Sequence, residues 1–391
     1  MTLDKNGAGR VLCAAMDLDL TSDQELLRDT TTRFIESACP LAKVRELSED
    51  ASGGVEPSYL RQAAELGWFS LLVPEEDGGG SVSGEGVIDA AVVAVERGRL
   101  LQPAPFVPGN VVALALAAGA TDDQRAKVLP GLIAGETTAA WALADPTGDW
   151  RADAGVTARA SGGDGFVLSG TKGLVQDAHL ADWLLVSAGS AGGPIQVLLP
   201  STAPGLTVTK LDGLDITRSF GRVTLDAVDA PRAAVVGDPV SGRPILERQL
   251  QVAVVLTVAE SVGAMDHIFS ETVEYAKNRT AFGRPIGSFQ AIKHLLADTS
   301  LLVEASKAVL TAAARAVQDE REDAGEVASM AKAFVGDSGI ELAQNCLQAF
   351  GGIGFTWEHD LHLYLRRLTA DAYLYGEPAW HRERICTIHE L

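Results

Sequence analysis

The chain has 391 residues, of which 47% are hydrophobic and 21% charged, enough apolar side chain for two or three cores rather than one. Its 32 Lys and Arg stand against 52 Asp and Glu, a net charge of −20, which excludes a general binder of nucleic-acid backbone or anionic membrane and leaves room only for a local basic pocket. The four cysteines, Cys13, Cys39, Cys346 and Cys386, show no Cys-x-x-Cys spacing, so neither a zinc site nor a disulfide framework is expected and a reducing cytoplasm fits.

Residues 1–16 read as a flexible tail, because the apolar run Val11 to Met16 is too short for a secretory leader, and Met16 is a possible internal start. Ser22 with Glu25 has the spacing of a capping box and opens a helix with Leu26, Leu27, Phe34 and Ile35 at helical intervals. Further helices are predicted over Tyr59 to Leu71, Gly86 to Leu101, Val107 to Gly119 and Asp122 to Ala134, separated by Pro74, the run Gly78 to Gly80, Pro103 and Pro105. Val111 to Ala120 is the longest apolar stretch and falls short of the roughly 18 residues of a membrane span.

From Glu136 to Asp238 the pattern changes to short Val-, Leu- and Thr-rich runs punctuated by Gly, Asp and Pro, the signature of antiparallel strands. Asp164-Gly165 marks a hairpin between Gly155 to Arg159 and Phe166 to Leu168, followed by runs Trp183 to Ala188, Ile195 to Leu199, Leu206 to Thr209 and Arg222 to Leu225. Long helical periods return over Ile245 to Arg279, Gln290 to Arg321, Val327 to Phe350 and His359 to Ala372, which predicts an antiparallel bundle. The predicted fold is mainly α with a central β-domain: tail 1–16, N-terminal helical domain 17–135, small antiparallel β-domain 136–240, and a C-terminal four-helix bundle 241–391.

Two breaks in the bundle draw the eye. The first, Arg279 to Gln290, packs two glycines, a proline, two arginines, two phenylalanines and a glutamine between helices; it is either an ordinary turn or an anion site with a guanidinium fork and a flat aromatic face. The second, Gln348 to Phe355, contains Gly351-Gly352-x-Gly354, a helix C-cap or a place where backbone approaches a phosphate or ring closely. His359 and His362 stand three apart but alternate with Leu361, Leu363 and Leu365, so no metal site is expected.

Together these breaks, Tyr275-Ala276-x-x-Arg279-x-x-Phe282-Gly283-x-Pro285-Ile286-x-x-Phe289-Gln290 and Gln348-x-x-Gly351-Gly352-x-Gly354, resemble the acyl-CoA dehydrogenase family, as a divergent bacterial-type member. Leu66-Gly67-Trp68-Phe69 with Val73-Pro74-Glu75 looks like that family's N-terminal domain. The resemblance implies an FAD-dependent oxidoreductase of fatty acid or sterol side-chain degradation, cytoplasmic, acting as a homotetramer or heterotetramer without nucleic acid or membrane span. It implies α,β-dehydrogenation of an acyl-CoA substrate to the trans-2-enoyl thioester, with electrons passed to an electron-transfer flavoprotein. Arg279, Phe282 and Gln290 would meet the adenine and pyrophosphate half of FAD, and Gln348, Gly351 and Gly352 would close on it from a neighbouring subunit.

The flavin-ring half departs from the family pattern. A Thr-Glu-Pro-Gly-x-Gly-Ser-Asp segment is replaced by Ala144-Asp145-Pro146-Thr147-Gly148-Asp149-Trp150, and a Trp-Ile-Thr run by Leu174-Val175-Gln176. The chemistry needs a carboxylate to take the proton α to the thioester carbonyl while a hydride leaves the β-carbon. The family's Glu in Tyr-Glu-Gly-Thr falls on Gly376, which makes Glu377 the first candidate base. Ala253 stands where another branch carries it, and Glu260, two helical turns on in the apolar stretch Val252 to Val262, is the second; its plain reading is a buried carboxylate bonded to a neighbouring subunit. The alternatives are a non-catalytic or half-site subunit of a heteromeric dehydrogenase, an oxidase on the same fold, and a flavin-free binding protein.

Overall fold

The computed structural model describes residues 20–49, 54–162, 165–237 and 242–390. The predicted tail 1–16, with Cys13, lies outside them, as does Asp164 of the hairpin turn.

Helices α1 (Ser22–Ala38), α2 (Leu41–Glu49), α3 (Pro57–Glu65), α4 (Gly86–Arg99), α5 (Phe106–Gly119) and α6 (Asp122–Ile133) come first. The capping box of α1 lies one residue earlier than the Ser22–Glu25 spacing predicts: Thr21 accepts from the Gln24 amide and Gln24 bonds back to the Thr21 N–H. Gln24 is selected because its side-chain amide also reaches Ser83, Glu85 and Asp89, tying α1 to the start of α4. Helix α2 is not expected from the pattern, since only Val44 of it is buried.

Strands β1 (Ala139–Ala142), β2 (Val156–Ala160), β3 (Gly165–Gln176), β4 (Trp183–Ser190), β5 (Gly193–Pro200), β6 (Leu206–Leu211), β7 (Phe220–Pro231) and β8 (Val235–Val236) form one sheet in the order β6-β7-β3-β2-β4-β5-β8. The pairing is antiparallel along most of it, but β1 lies parallel to β4, Ala139 opposite Trp183, and every residue of β1 is buried.

Helix α7 (Gly242–Asn278) then runs into the ribbon β9 (Thr280–Ala281) and β10 (Arg284–Pro285), followed by α8 (Gln290–Gln318), α9 (Ala324–Phe350), α10 (Leu361–Tyr373) and α11 (Pro378–Ile388). α7 is long and apolar enough to cross a membrane, yet 83% of its most apolar window is buried inside the fold, so composition and packing together mark it as the central core helix. It crosses α4 backbone to backbone. A Cβ on Gly98 would lie 1.9 Å from the Glu260 carbonyl oxygen, and one on Gly263 1.9 Å from that of Val95, so only glycine permits the approach. That crossing sets Arg97 of α4 against Glu260 of α7.

Candidate functional site

Glu260 is 2% exposed and paired within its own chain. Arg97 Nε lies 3.4 Å from one carboxylate oxygen, and Arg218, from the loop between β6 and β7, bonds the other while its second arm bonds Asp371 of α10. The expected partner in a neighbouring subunit is therefore replaced by two arginines of this chain. Asp371 also accepts from Ser261 Oγ at 3.3 Å. Arg367 completes the cluster, 2.6 Å from Asp215. Burial pushes the Asp371 carboxyl up despite these arginines, and it pushes Asp177, at the end of β3, up to about 6. Both carboxylate oxygens of Glu260, the second candidate base, are thus engaged by guanidiniums of this chain.

Glu377 caps α11 from outside, exposed and without a side-chain hydrogen bond. Gly376 before it has φ 111°, and a Cβ there would lie 2.5 Å from the Trp380 ring and 2.9 Å from His381 Nε2, so a glutamate cannot occupy position 376 in this loop.

The segments that depart from the family pattern converge. Trp141 of β1 stacks on Tyr375 with ring centroids 5.9 Å apart, and Trp150 lies against the same tyrosine at 5.4 Å. All three rings are buried. Lys172 of β3, fully buried, donates to the Leu143 and Ala154 carbonyls and fixes both ends of the loop that carries Trp150. Within that loop Asp145 Oδ1 accepts from the Thr147 and Asp149 amides at 2.8 and 2.9 Å, and the Gly148 amide is spent on the Asp145 carbonyl. The Thr147, Gly148, Asp149 and Arg151 amides are thus used internally. Opposing burial, these hydrogen bonds hold the Asp145 carboxyl below the usual range.

The two bundle breaks meet at one end of the bundle, where Tyr275 of α7 stacks on Phe350 of α9 at 4.2 Å. Phe282 and Gly283, at φ 54° and 79°, form the tight turn of the β9–β10 ribbon. Phe282 is 96% exposed in a backbone region that costs an aromatic residue on the order of 1–3 kcal/mol. Arg279, Gln290 and Gln348 are exposed without side-chain partners among the described residues, and a Cβ on Gly351 or Gly352 would meet nothing. This is an open donor surface with a ring beside it. His359 and His362 are spent on Phe350 and Trp357, and no cluster of three metal-ligating side chains occurs among the described residues.

Family models match at both ends: "Acyl-CoA dehydrogenase, N-terminal domain" over residues 21–136 and "Acyl-CoA dehydrogenase, C-terminal domain" over 241–387. The curated protein acyl-CoA dehydrogenase IpdE2 of Mycobacterium tuberculosis is 30% identical over 356 residues, 91% of this chain and 94% of that protein. The chain belongs to the acyl-CoA dehydrogenase family. Among solved structures this acyl-CoA dehydrogenase is similar to a variant of the Tcur3481-Tcur3483 steroid ACAD, with TM-score 0.85, 29% identity and 94% and 97% of the two chains covered. It is also similar to the ChsE4-ChsE5 complex from Mycobacterium tuberculosis, with TM-score 0.87, 26% identity and 96% and 99% coverage.

The cofactor of this oxidoreductase family is FAD, and its fit to the acyl-CoA dehydrogenase chain divides in two. The end of the bundle fits: a free guanidinium, two free amides and bare glycine backbone suit a pyrophosphate, with Phe282 offered to a flat base. The ring half finds no such open donor surface within this chain: Trp141, Trp150 and Tyr375 pack into one buried cluster beside the departing loop, and the Thr147, Gly148 and Asp149 amides of that loop are already bonded. The sequence showed the missing Gly-x-Gly-Ser but not the aromatic cluster. Trp150 carried no signal beyond being a tryptophan in a loop.

Proposed function

We propose that this chain is one subunit of a two-chain, FAD-dependent acyl-CoA dehydrogenase in the cytoplasm. Its share is the site for the ADP arm of FAD, made from Arg279, Phe282, Gln290, Gln348, Gly351 and Gly352. A mate of the same fold supplies the ring pocket and the carboxylate that removes the α-proton. The assembly converts an acyl-CoA thioester to its trans-2-enoyl thioester and delivers the electrons to an electron-transfer flavoprotein. FAD, when bound, supplies the acceptor for the hydride that leaves the β-carbon. This chain's residues hold the far end of the cofactor.

The observation that carries the reading is the absence of a free carboxylate at either base position: Glu260 is gripped by Arg97 and Arg218, and position 376 is a glycine beside the buried cluster of Trp141, Trp150 and Tyr375. Two similar structures are named for paired chains, and one of them for a steroid, which favours a heteromer and an acyl group on a sterol skeleton. A homotetramer with Glu377 as base is the other reading, favoured by that carboxylate's exposure and lack of a hydrogen-bond partner. Turnover of acyl-CoA by the isolated chain, abolished by Glu377→Gln, would establish that second reading. No turnover alone, with activity appearing on co-expression with a mate and unaffected by Glu377→Gln, is the expected result.

A further inference from the structure

Between α10 and α11 the chain makes a sharp turn, with Tyr375 at φ 59° and Gly376 at φ 111°. A tyrosine in the left-handed region is strained by on the order of 1 kcal/mol and stays there only when its surroundings impose it. Two buried side chains from other helices do so. Lys332 of α9, 1% exposed, donates from Nζ to the Ala372 carbonyl at 2.7 Å and the Gly376 carbonyl at 3.0 Å. His381 of α11 donates from Nε2 to the Tyr375 carbonyl at 3.1 Å, and its Nδ1 has no hydrogen-bond partner among the described residues.

We propose that Lys332 is the positioning residue that seats the Tyr375 ring against Trp141 and Trp150, and so keeps the ring position of this chain shut. The inference rests on the half-site reading above and deepens it. A lysine is not needed to fill this space: methionine has nearly the same length and costs no desolvation of a charge. What only a donor at that point supplies is a bridge between the last turn of α10 and the far side of the loop, spanning the tyrosine. The ammonium also sits at the negative end of α10. Around it stand Asp371 of α10, Asp337 of its own helix and His381 of α11. Neither aspartate bonds it, so its hydrogen bonds are committed to the loop. Burial lowers its affinity for a proton to about 7, and burial together with Lys332 lowers that of His381 to about 3, which keeps the imidazole neutral with its proton on Nε2.

The test is hydrogen exchange and near-UV circular dichroism on the isolated full chain carrying Lys332→Met, Lys332→Arg or Lys332→Gln. With Lys332→Met we expect exchange of the amides of residues 373–377 to accelerate at least tenfold and the tryptophan near-UV signal to fall, while the amides of β4 and β5 keep their protection. Lys332→Arg, which retains donors and reach, should restore both. Should Lys332→Met fail to fold, Lys332→Gln, a neutral donor too short to bridge both carbonyls, should show the same local loosening. Wild-type exchange in the loop of Lys332→Met or Lys332→Gln, or equal loosening throughout the sheet, would overturn the proposal. None of these readouts involves flavin, so a yellow wild-type chain would defeat the half-site reading and the shut ring position, while the seating of Tyr375 by Lys332 is decided by these data alone.

Discussion

The ring of Trp141 lies over that of Tyr375, 5.9 Å between centroids and 24° between planes, joining the first strand of the sheet to the loop after α10. With Trp150 tilted against the same ring at 5.4 Å, Tyr375 becomes a bolt between the β-domain and the bundle. Tyr375→Ala should therefore cost about 3–5 kcal/mol of stability, the range of aromatic-to-alanine changes in a core. Denaturant unfolding of the isolated chain measures it; a loss under about 1 kcal/mol would mean that the rings do not pack.

Arg218 neutralises Glu260 and Asp371 at once. Its removal in Arg218→Ala leaves buried Asp371 with only Ser261 and Glu260 with only the 3.4 Å contact to Arg97, and should destabilise the chain by about 3–5 kcal/mol near neutrality. Acid should soften that loss, since the stranded carboxylates then take up protons. Melting curves of the variant and the wild type across the acidic range should converge, and parallel curves would contradict the assignment.

Three buried groups add slopes of known sign to the pH dependence. His381 titrates near 3 in the fold and 6.5 when unfolded, so between those values the unfolded chain holds more protons and stability falls as the solution is acidified. Asp177 acts oppositely: raised from 3.8 to about 6, it contributes stability that is fully present below 3.8 and lost as pH rises through 6. Lys332, lowered from 10.5 to about 7, makes stability rise with pH between those two values. Asp177→Asn should therefore steepen the acid loss, and Lys332→Met should flatten the alkaline rise, both read from unfolding free energy against pH.

At the open end of the bundle, Arg279→Ala should leave folding unchanged, because its exposed side chain has no hydrogen-bond or ion-pair partner among the described residues. In the two-chain assembly it should weaken FAD about 10- to 100-fold, the worth of one charge-assisted pair. Flavin released on dilution reports it.

Architecture was legible where periodicity speaks. The α7 helix announces itself through its apolar length, and the β2–β3 hairpin through a Gly turn between alternating runs. Pairing partners were not legible. Glu260 reads as an isolated carboxylate in an apolar helix because Arg97 and Arg218 lie 163 and 42 residues away, and only the Gly98–Gly263 crossing brings the first of them in. The parallel lie of β1 on β4 is equally silent, since its four residues are buried throughout and show no alternation. The missing flavin-segment glycines were visible as a departure, but the meeting of Trp141, Trp150 and Tyr375 depends on a loop closed by Asp145 and a turn held by Lys332, neither of which leaves a local pattern.

The central claim is that this chain's own ring position is shut. Its most direct test is the visible absorption spectrum of the chain purified alone, set beside that of the chain co-purified with a mate of the same family. The account predicts a folded, colourless chain alone and one FAD per pair in the assembly. A yellow chain alone, with one FAD per chain, would contradict it.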